Sequence, residues 1–227
     1  MPFPDLPDRL REVRERIDDA IRRGGHGQAV TIVAVTKTHG PDAVQAAWDA
    51  GIGDVGENRV QEALPKMDAV SVPVRWHLIG HLQRNKVKSV ARFDLVHSLD
   101  SSRLVDAVHE LGSSSRSPVD ALMQVNVVGE ESKGGFSPND WEREAVRIRS
   151  LDGIRLRGVM TMAPLDADES TLRAAFAGAR KAREILCSAG HEATELSMGM
   201  SNDYEVAVEE GATYVRLGTI LFGARSA

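Results

Sequence analysis

The sequence predicts an α/β chain folded as one (β/α)8 barrel, and three observations lead there. Short runs rich in β-branched and apolar residues alternate along the chain with amphipathic helical stretches, the mark of βα units and a parallel sheet. The runs number eight, which favours a closed barrel over an open sheet. The length of 227 residues suits a single barrel, residues 1–227, with no internal boundary.

The chain opens on a helix outside the repeat. Leu6, Leu10, Val13, Ile17 and Ile21 form one apolar stripe, with Arg and Glu on the other faces. Gly24-Gly25-His26-Gly27 ends it. Strand runs follow near 30–36, 53–55, 74–79, 94–97, 119–128, 154–161, 193–198 and 213–218. Helices are expected between them near 41–50, 57–68, 84–92, 101–111, 138–150, 170–189 and 201–210. Pro41 sits in the first turn of one helix, and Gly51 follows its end. Pro65 is expected to kink or shorten the 57–68 helix. Leu104, Val105, Val108 and Leu111 mark a buried face that Gly112 closes. Ser137-Pro138-Asn139-Asp140 reads as an N-cap, a proline at the first helical position and an acid in the first turn. Little chain follows the eighth strand, so the N-terminal helix is expected to cover the gap in the outer ring.

Composition narrows the function. With 28 basic and 33 acidic side chains the formal charge is −5, which argues against a nucleic-acid binder or an anionic-membrane binder. No apolar run approaches the ~18 residues of a membrane span. Cys187 is the only cysteine, so no internal disulfide can form, and its apolar helical setting reads as a buried, inert thiol. A cytoplasmic protein is the expectation.

Barrels of this kind carry their working groups where strands end, on the C-terminal face. Lys37 follows Ile32-Val33-Ala34-Val35 directly and shares a face with Val33 and Val35. It reads either as a nucleophilic amine inside the mouth or as a lysine reaching to solvent. Ser197 to Asp203 leads from the seventh strand into a helix. It is a plain capped helix start or, through Ser201, Gly199 and exposed amides, a phosphate cradle; Asp203 would oppose an anion. Arg216-Leu217-Gly218-Thr219 ends the eighth strand, where such barrels recurrently hold phosphate. Arg216 needs an acceptor, either a ligand or an acid on a neighbouring strand. His77 and His81 straddle a strand end and form no helical metal pair, and no metal site is expected. Trp48 and Trp141 read as packing residues, and Arg84-Asn85-Lys86-Val87-Lys88 as a solvated helix face.

These stretches carry a family resemblance. AVTKTHG (34–40), GDVGENRVQEA (53–63), WHLIGHLQRNK (76–86), HSLDS (97–101), QVNVVGEESKGGF (124–136), LRGVMTM (156–162) and LSMGMSNDYEVAVEEGATYVRLGTILFGAR (196–225) span nearly the whole chain. Together they resemble the pyridoxal phosphate homeostasis proteins, relatives of the barrel domain of alanine racemase. The resemblance implies the type III fold of pyridoxal 5'-phosphate (PLP) proteins, with the cofactor held as a Schiff base on Lys37. It also implies that Arg216 faces the pyridine nitrogen. Ser201, Gly218 and Thr219 would hold the phosphate, helped by the backbone near Met200, and Asn58 would line the pocket. Lys133 is expected near the mouth. Thr38-His39-Gly40 departs from the pattern, lacking the second lysine that many members carry after the Schiff-base residue.

An arginine cannot take a proton from the ring nitrogen, so carbanion chemistry should be weak. The implied function is PLP homeostasis: binding, buffering and delivery, with PLP-dependent apoenzymes as partners, by a monomer or weak dimer with little or no catalysis. Two alternatives stay open, a PLP-dependent amino-acid racemase and a barrel isomerase or aldolase acting on a phosphorylated sugar.

Overall fold

The computed structural model describes residues 3–129 and 134–223, and its strands close into a parallel barrel in chain order. They are β1 (Thr31–Val35), β2 (Asp54–Glu57), β3 (Arg75–Leu78), β4 (Leu95–Leu99), β5 (Val119–Gln124), β6 (Ile154–Met160), β7 (Glu195–Met200) and β8 (Tyr214–Leu217). Closure is the pairing of first strand with last: Val33 lies level with Asp54 on one side and Arg216 on the other. The predicted barrel is the observed one.

Helices α1 (Leu6–Gly24), α2 (Pro41–Asp49), α3 (Val60–Ala69), α4 (Ser102–Ser115), α5 (Trp141–Arg149), α6 (Glu169–Ser188), α7 (Tyr204–Glu209) and α8 (Thr219–Phe222) surround it, with a 3-10 helix at Arg84–Arg92. Strand alternation sorts the apolar residues into two cores. Val33, Leu95, Leu122, Met160 and Tyr214 pack together inside the barrel. Ala34, Val55, Leu78, Val96 and Met198 point outward and join the core beneath the helices.

The N-terminal helix does cover the gap. Leu6, Leu10, Val13 and Ile17 are buried, and α1 packs against α7 and α8. The backbone of Gly24 comes so near Glu209 that a Cβ would lie 2.4 Å from its carbonyl oxygen. Arg23 pairs with Glu205 and Glu209, and Arg9 donates to the Leu221 carbonyl at 3.3 Å. α1 ends at Gly25 (φ 70°), whose amide donates to the Ile21 carbonyl.

Several boundaries differ from the sequence reading, each for a local reason. Glu57 completes β2 as a buried strand residue, so the next helix begins only at Val60, and it runs through Pro65 to Ala69. Pro138 lies in a turn before α5, because the Ser137 hydroxyl donates to the Asp140 carboxylate and the helix starts at Trp141. Ser201 caps no helix: Gly199 (φ 91°) turns the chain, Asp203 Oδ1 accepts from the Met200 amide at 2.6 Å, and α7 starts at Tyr204. Trp141 is buried, but Trp48 is 38% exposed. Cys187 is exposed on the outer face of α6, where Leu186 takes the buried position, and its thiol donates to the Ala193 carbonyl at 3.3 Å.

Gly112 does not close α4 either. The helix continues to Ser115, and Gly112 is buried where a Cβ would stand 2.0 Å from the Gly153 carbonyl oxygen. Alanine within a helix gains about 1 kcal/mol over glycine. The clash here is with backbone, which cannot swing aside, and overpacking of this kind costs about 1–3 kcal/mol or more. Gly112→Ala should therefore lower the melting temperature by roughly 2–8 °C. Calorimetry showing an equal or higher midpoint would mean that helix propensity outweighs the contact.

Candidate functional site

At the C-terminal mouth of the barrel, a cavity of about 660 Å3 opens between the ends of β1, β6, β7 and β8. Its walls include Lys37, Met200, Ser201, Arg216, Gly218 and Thr219, six of the seven residues singled out from sequence. The seventh, Asn58, lines an adjoining cavity of about 510 Å3, which shares Lys37, Met200 and Arg216 with the first. Lys37 and Arg216 thus stand where the two cavities meet. Lys133 lies outside the described residues.

Lys37 is half-buried in the turn that follows β1. The turn closes through the His39 amide, which donates to the Thr36 carbonyl at 3.1 Å, and it holds Thr38 at φ 68°. A left-handed β-branched residue is strained by roughly 1–3 kcal/mol and persists only where its surroundings fix it. They do so from behind. Thr36 faces outward, its carbonyl accepting from Lys66 Nζ at 2.7 Å and its hydroxyl donating to Glu57 Oε1 at 2.5 Å. Lys66 also donates to Glu57 Oε1 at 2.6 Å, closing a buried triangle between β1, β2 and α3. This fixes the backbone from which Lys37 projects inward. Asn58 is placed by a second close approach: a Cβ on Gly80 would lie 2.3 Å from the Asn58 carbonyl oxygen.

The loops after β7 and β8 meet at Ser201. The Ile220 amide at the start of α8 donates to Ser201 Oγ at 3.4 Å. Gly218 precedes that short helix and lies against Val35. Amides of a helix's first turn have no partner within the helix, so Gly218 and Thr219 bring donors to the cavity edge. The Met200 amide is different, because it already donates to Asp203 Oδ1. That carboxylate, which the sequence set against an anion, is occupied with the turn.

Arg216 is 4% exposed. Its hydrogen bonds go to Ser197 Oγ at 2.7 Å and the Thr161 carbonyl at 3.0 Å, not to the acid on a neighbouring strand that the sequence left open. Burial brings its pKa down to about 10, opposed by the charge of Asp203. It remains a cation throughout the neutral range. Below it the barrel interior is polar along one sector. Ser197 Oγ lies 2.8 Å from His97 Nδ1, His97 Nε2 lies 2.9 Å from His77 Nδ1, and His77 Nε2 lies 2.8 Å from Asp54 Oδ1.

His77 and His81 separate as the sequence suggested. His77 points into the interior, whereas His81 meets Asp100 at 2.8 Å on the surface. Among the described residues, no three His, Cys, Asp or Glu side chains gather as a metal site. Sequence reasoning missed the loop after β6, where Met162, Pro164 and Leu165 wall the cavity. Its only signal was a proline in a long connection. The pairing of His97 with His77 was missed as well, since only barrel closure brings these strand positions together with Ser197.

Comparison with known proteins agrees with this architecture. The pattern of the family "Alanine racemase, N-terminal domain" matches residues 9–226. A pyridoxal phosphate homeostasis protein of Pseudomonas aeruginosa is 40% identical over 223 residues, covering 97% of this chain and 96% of that one. One from Aquifex aeolicus is 39% identical over 222 residues, covering 96% and 97%. Among solved structures, PipY of Synechococcus elongatus with PLP bound superimposes with a TM-score of 0.85 at 35% identity, covering 96% of this chain and all of its own. On the identity and coverage of these relatives, the chain belongs to the pyridoxal phosphate homeostasis proteins, within the alanine racemase N-terminal-domain family.

Proposed function

We propose that this protein binds pyridoxal 5'-phosphate on Lys37 and serves cellular PLP homeostasis as a cytoplasmic carrier, holding the cofactor and giving it up to apoenzymes that need it. One observation carries the reading: a lysine amine, a buried arginine and the hydroxyl-and-amide edge of the last two loops share one cavity. Its volume is in the range of small-molecule sites.

The donor set fits the group. When bound, PLP supplies an aldehyde that condenses with a primary amine and a ring that withdraws electrons best with its nitrogen protonated. Lys37 is the primary amine on the cavity wall. Ser201, Gly218 and Thr219 offer a hydroxyl pair and backbone amides, the donors that a phosphate accepts from. Met200 lines both cavities that meet at Lys37, and Asn58 lines the second. Arg216 donates and does not accept, so it leaves a ring nitrogen facing it without a proton. That favours holding over catalysis. Among the described residues, no helix is long and apolar enough to cross a membrane.

Loaded with PLP, the purified protein should absorb in the visible, and borohydride should fix the label on the peptide containing Lys37. Lys37→Ala should abolish both signals. A variant that keeps the visible band would move the anchor elsewhere, and rapid exchange of an amino-acid α-proton in deuterated water would turn the reading to a racemase. Arg216→Glu should make the ring nitrogen easier to protonate and shift the pH titration of the band. An unchanged titration would remove Arg216 from beside the ring.

A further inference from the structure

The interior chain beneath Arg216 has a direction that its end groups fix. A guanidinium only donates, so Ser197 Oγ accepts from Arg216. The one hydroxyl proton of Ser197 is then free for His97 Nδ1, which must be bare. A neutral His97 carries its proton on Nε2 and gives it to His77 Nδ1. His77 in turn carries its proton on Nε2 and gives it to Asp54, a carboxylate that only accepts. Four hydrogen bonds therefore point the same way, from a cation at one mouth of the barrel to an anion at the other. Bonds aligned head to tail polarise one another in a low-dielectric interior.

The reverse direction is worse. His97 would donate from Nδ1 to Ser197, and His77 would have to carry two protons, one toward His97 Nε2 and one toward Asp54. The Ser197 hydroxyl would then receive two donors. Its own proton would have no acceptor in the chain, at a residue that is fully buried. His97 is fully buried too, and burial first, with the charge of Arg216 adding to it, holds its pKa well below the usual histidine value. It stays neutral.

The lower end is open to the outside. Asp54 lines a cavity of about 360 Å3 on the N-terminal face, beside Arg14 and Asp18 of α1. Arg75 NH1 approaches its carboxylate to 3.4 Å, from a side chain that is 53% exposed. Tyr214 lies against both histidines, with ring centroids 5.5 and 5.9 Å away.

We propose that Asp54, His77, His97 and Ser197 are positioning residues for Arg216: a one-directional hydrogen-bond relay through the barrel that aims the guanidinium into the cofactor cavity and ties it to the opposite face. The part that concerns the cofactor rests on the PLP reading above. The direction of the relay does not.

The test has two readouts. In the cofactor-free, full-length protein, histidine 15N spectra near neutral pH should show His77 and His97 neutral, each protonated on Nε2 alone. A doubly protonated His77, or a proton on His97 Nδ1, overturns the proposal. For the second readout, Ser197→Ala should change the His97 Nδ1 signal and weaken retention of PLP about ten-fold, the value of one charge-assisted hydrogen bond. Ser197→Thr, which restores the hydroxyl, should recover both. Asp54→Ala, which touches only the far mouth, should also shift the visible band of the loaded protein, and it keeps the test open if Ser197→Ala does not fold. Unchanged retention in Ser197→Ala, or an unmoved band in Asp54→Ala, overturns the relay. Should the wild-type protein take up no PLP, the carrier reading fails, while the histidine spectra still decide the relay.

Discussion

Burying a guanidinium inside a parallel barrel is the constraint on which the rest of the site depends. Barrel interiors are ordinarily filled by branched aliphatic side chains, which offer a cation nothing. Here Val33, Leu95, Leu122 and Met160 fill one sector in that manner. The other sector had to be polar from Arg216 downward, because each acceptor brought in creates a further group to satisfy. Ser197 meets Arg216 and needs an acceptor for its own proton; His97 provides it and needs another; the sequence of needs ends only at Asp54, which borders solvent. Polar residues so deep in the barrel follow from one arginine.

The outward faces of the same strands show the same logic in a smaller form. Lys66 is buried against Glu57 and the Thr36 carbonyl, in the layer between strands and helices. A buried pair of this type contributes little beyond a good apolar packing, but losing one partner costs about 3–5 kcal/mol because the other charge is left alone. Its location is what makes it consequential. Thr36 and Glu57 sit one residue before Lys37 and Asn58, so the outward residue of each strand end is locked while its inward neighbour lines a cavity. Two-residue alternation turns a structural contact into a positional one.

How much of this was legible in the sequence depended on the range of the interaction. The barrel was, because each βα unit announces itself locally, and the stripe from Leu6 to Ile17 announced α1 as well. Six site residues converge on one cavity because strand ends converge in any barrel, so finding the ends was enough. Glycines were misread where a long-range contact chose them. Gly112 looked like a helix stop, yet it serves the approach of Gly153, forty-one positions away in the chain. Ser201 looked like a helix cap, and the Asp203 carboxylate took that part of the chain into a turn instead. Cys187 looked buried because its neighbours are apolar, but helical rotation gave the inward position to Leu186. The His97–His77 contact joins neighbouring strands through the interior, and no local pattern encodes it.

The arrangement also bears on how a carrier differs from a catalyst. Both acceptors of Arg216 are protein groups, the Ser197 hydroxyl and the Thr161 carbonyl. With the cavity empty, the guanidinium keeps these two hydrogen bonds, so it does not depend on a ligand for them. The groups proposed to grip the phosphate lie instead toward the rim, where Thr219 is exposed and Ser201 half-buried, and where water can replace what a ligand gives up. Once water has cleaved the proposed bond to Lys37, a site whose buried part keeps its own acceptors and whose gripping part is wet has little else in its structure that opposes emptying. Reversible loading is then a property of where the satisfied and the solvated donors sit, and it needs no movement of the barrel.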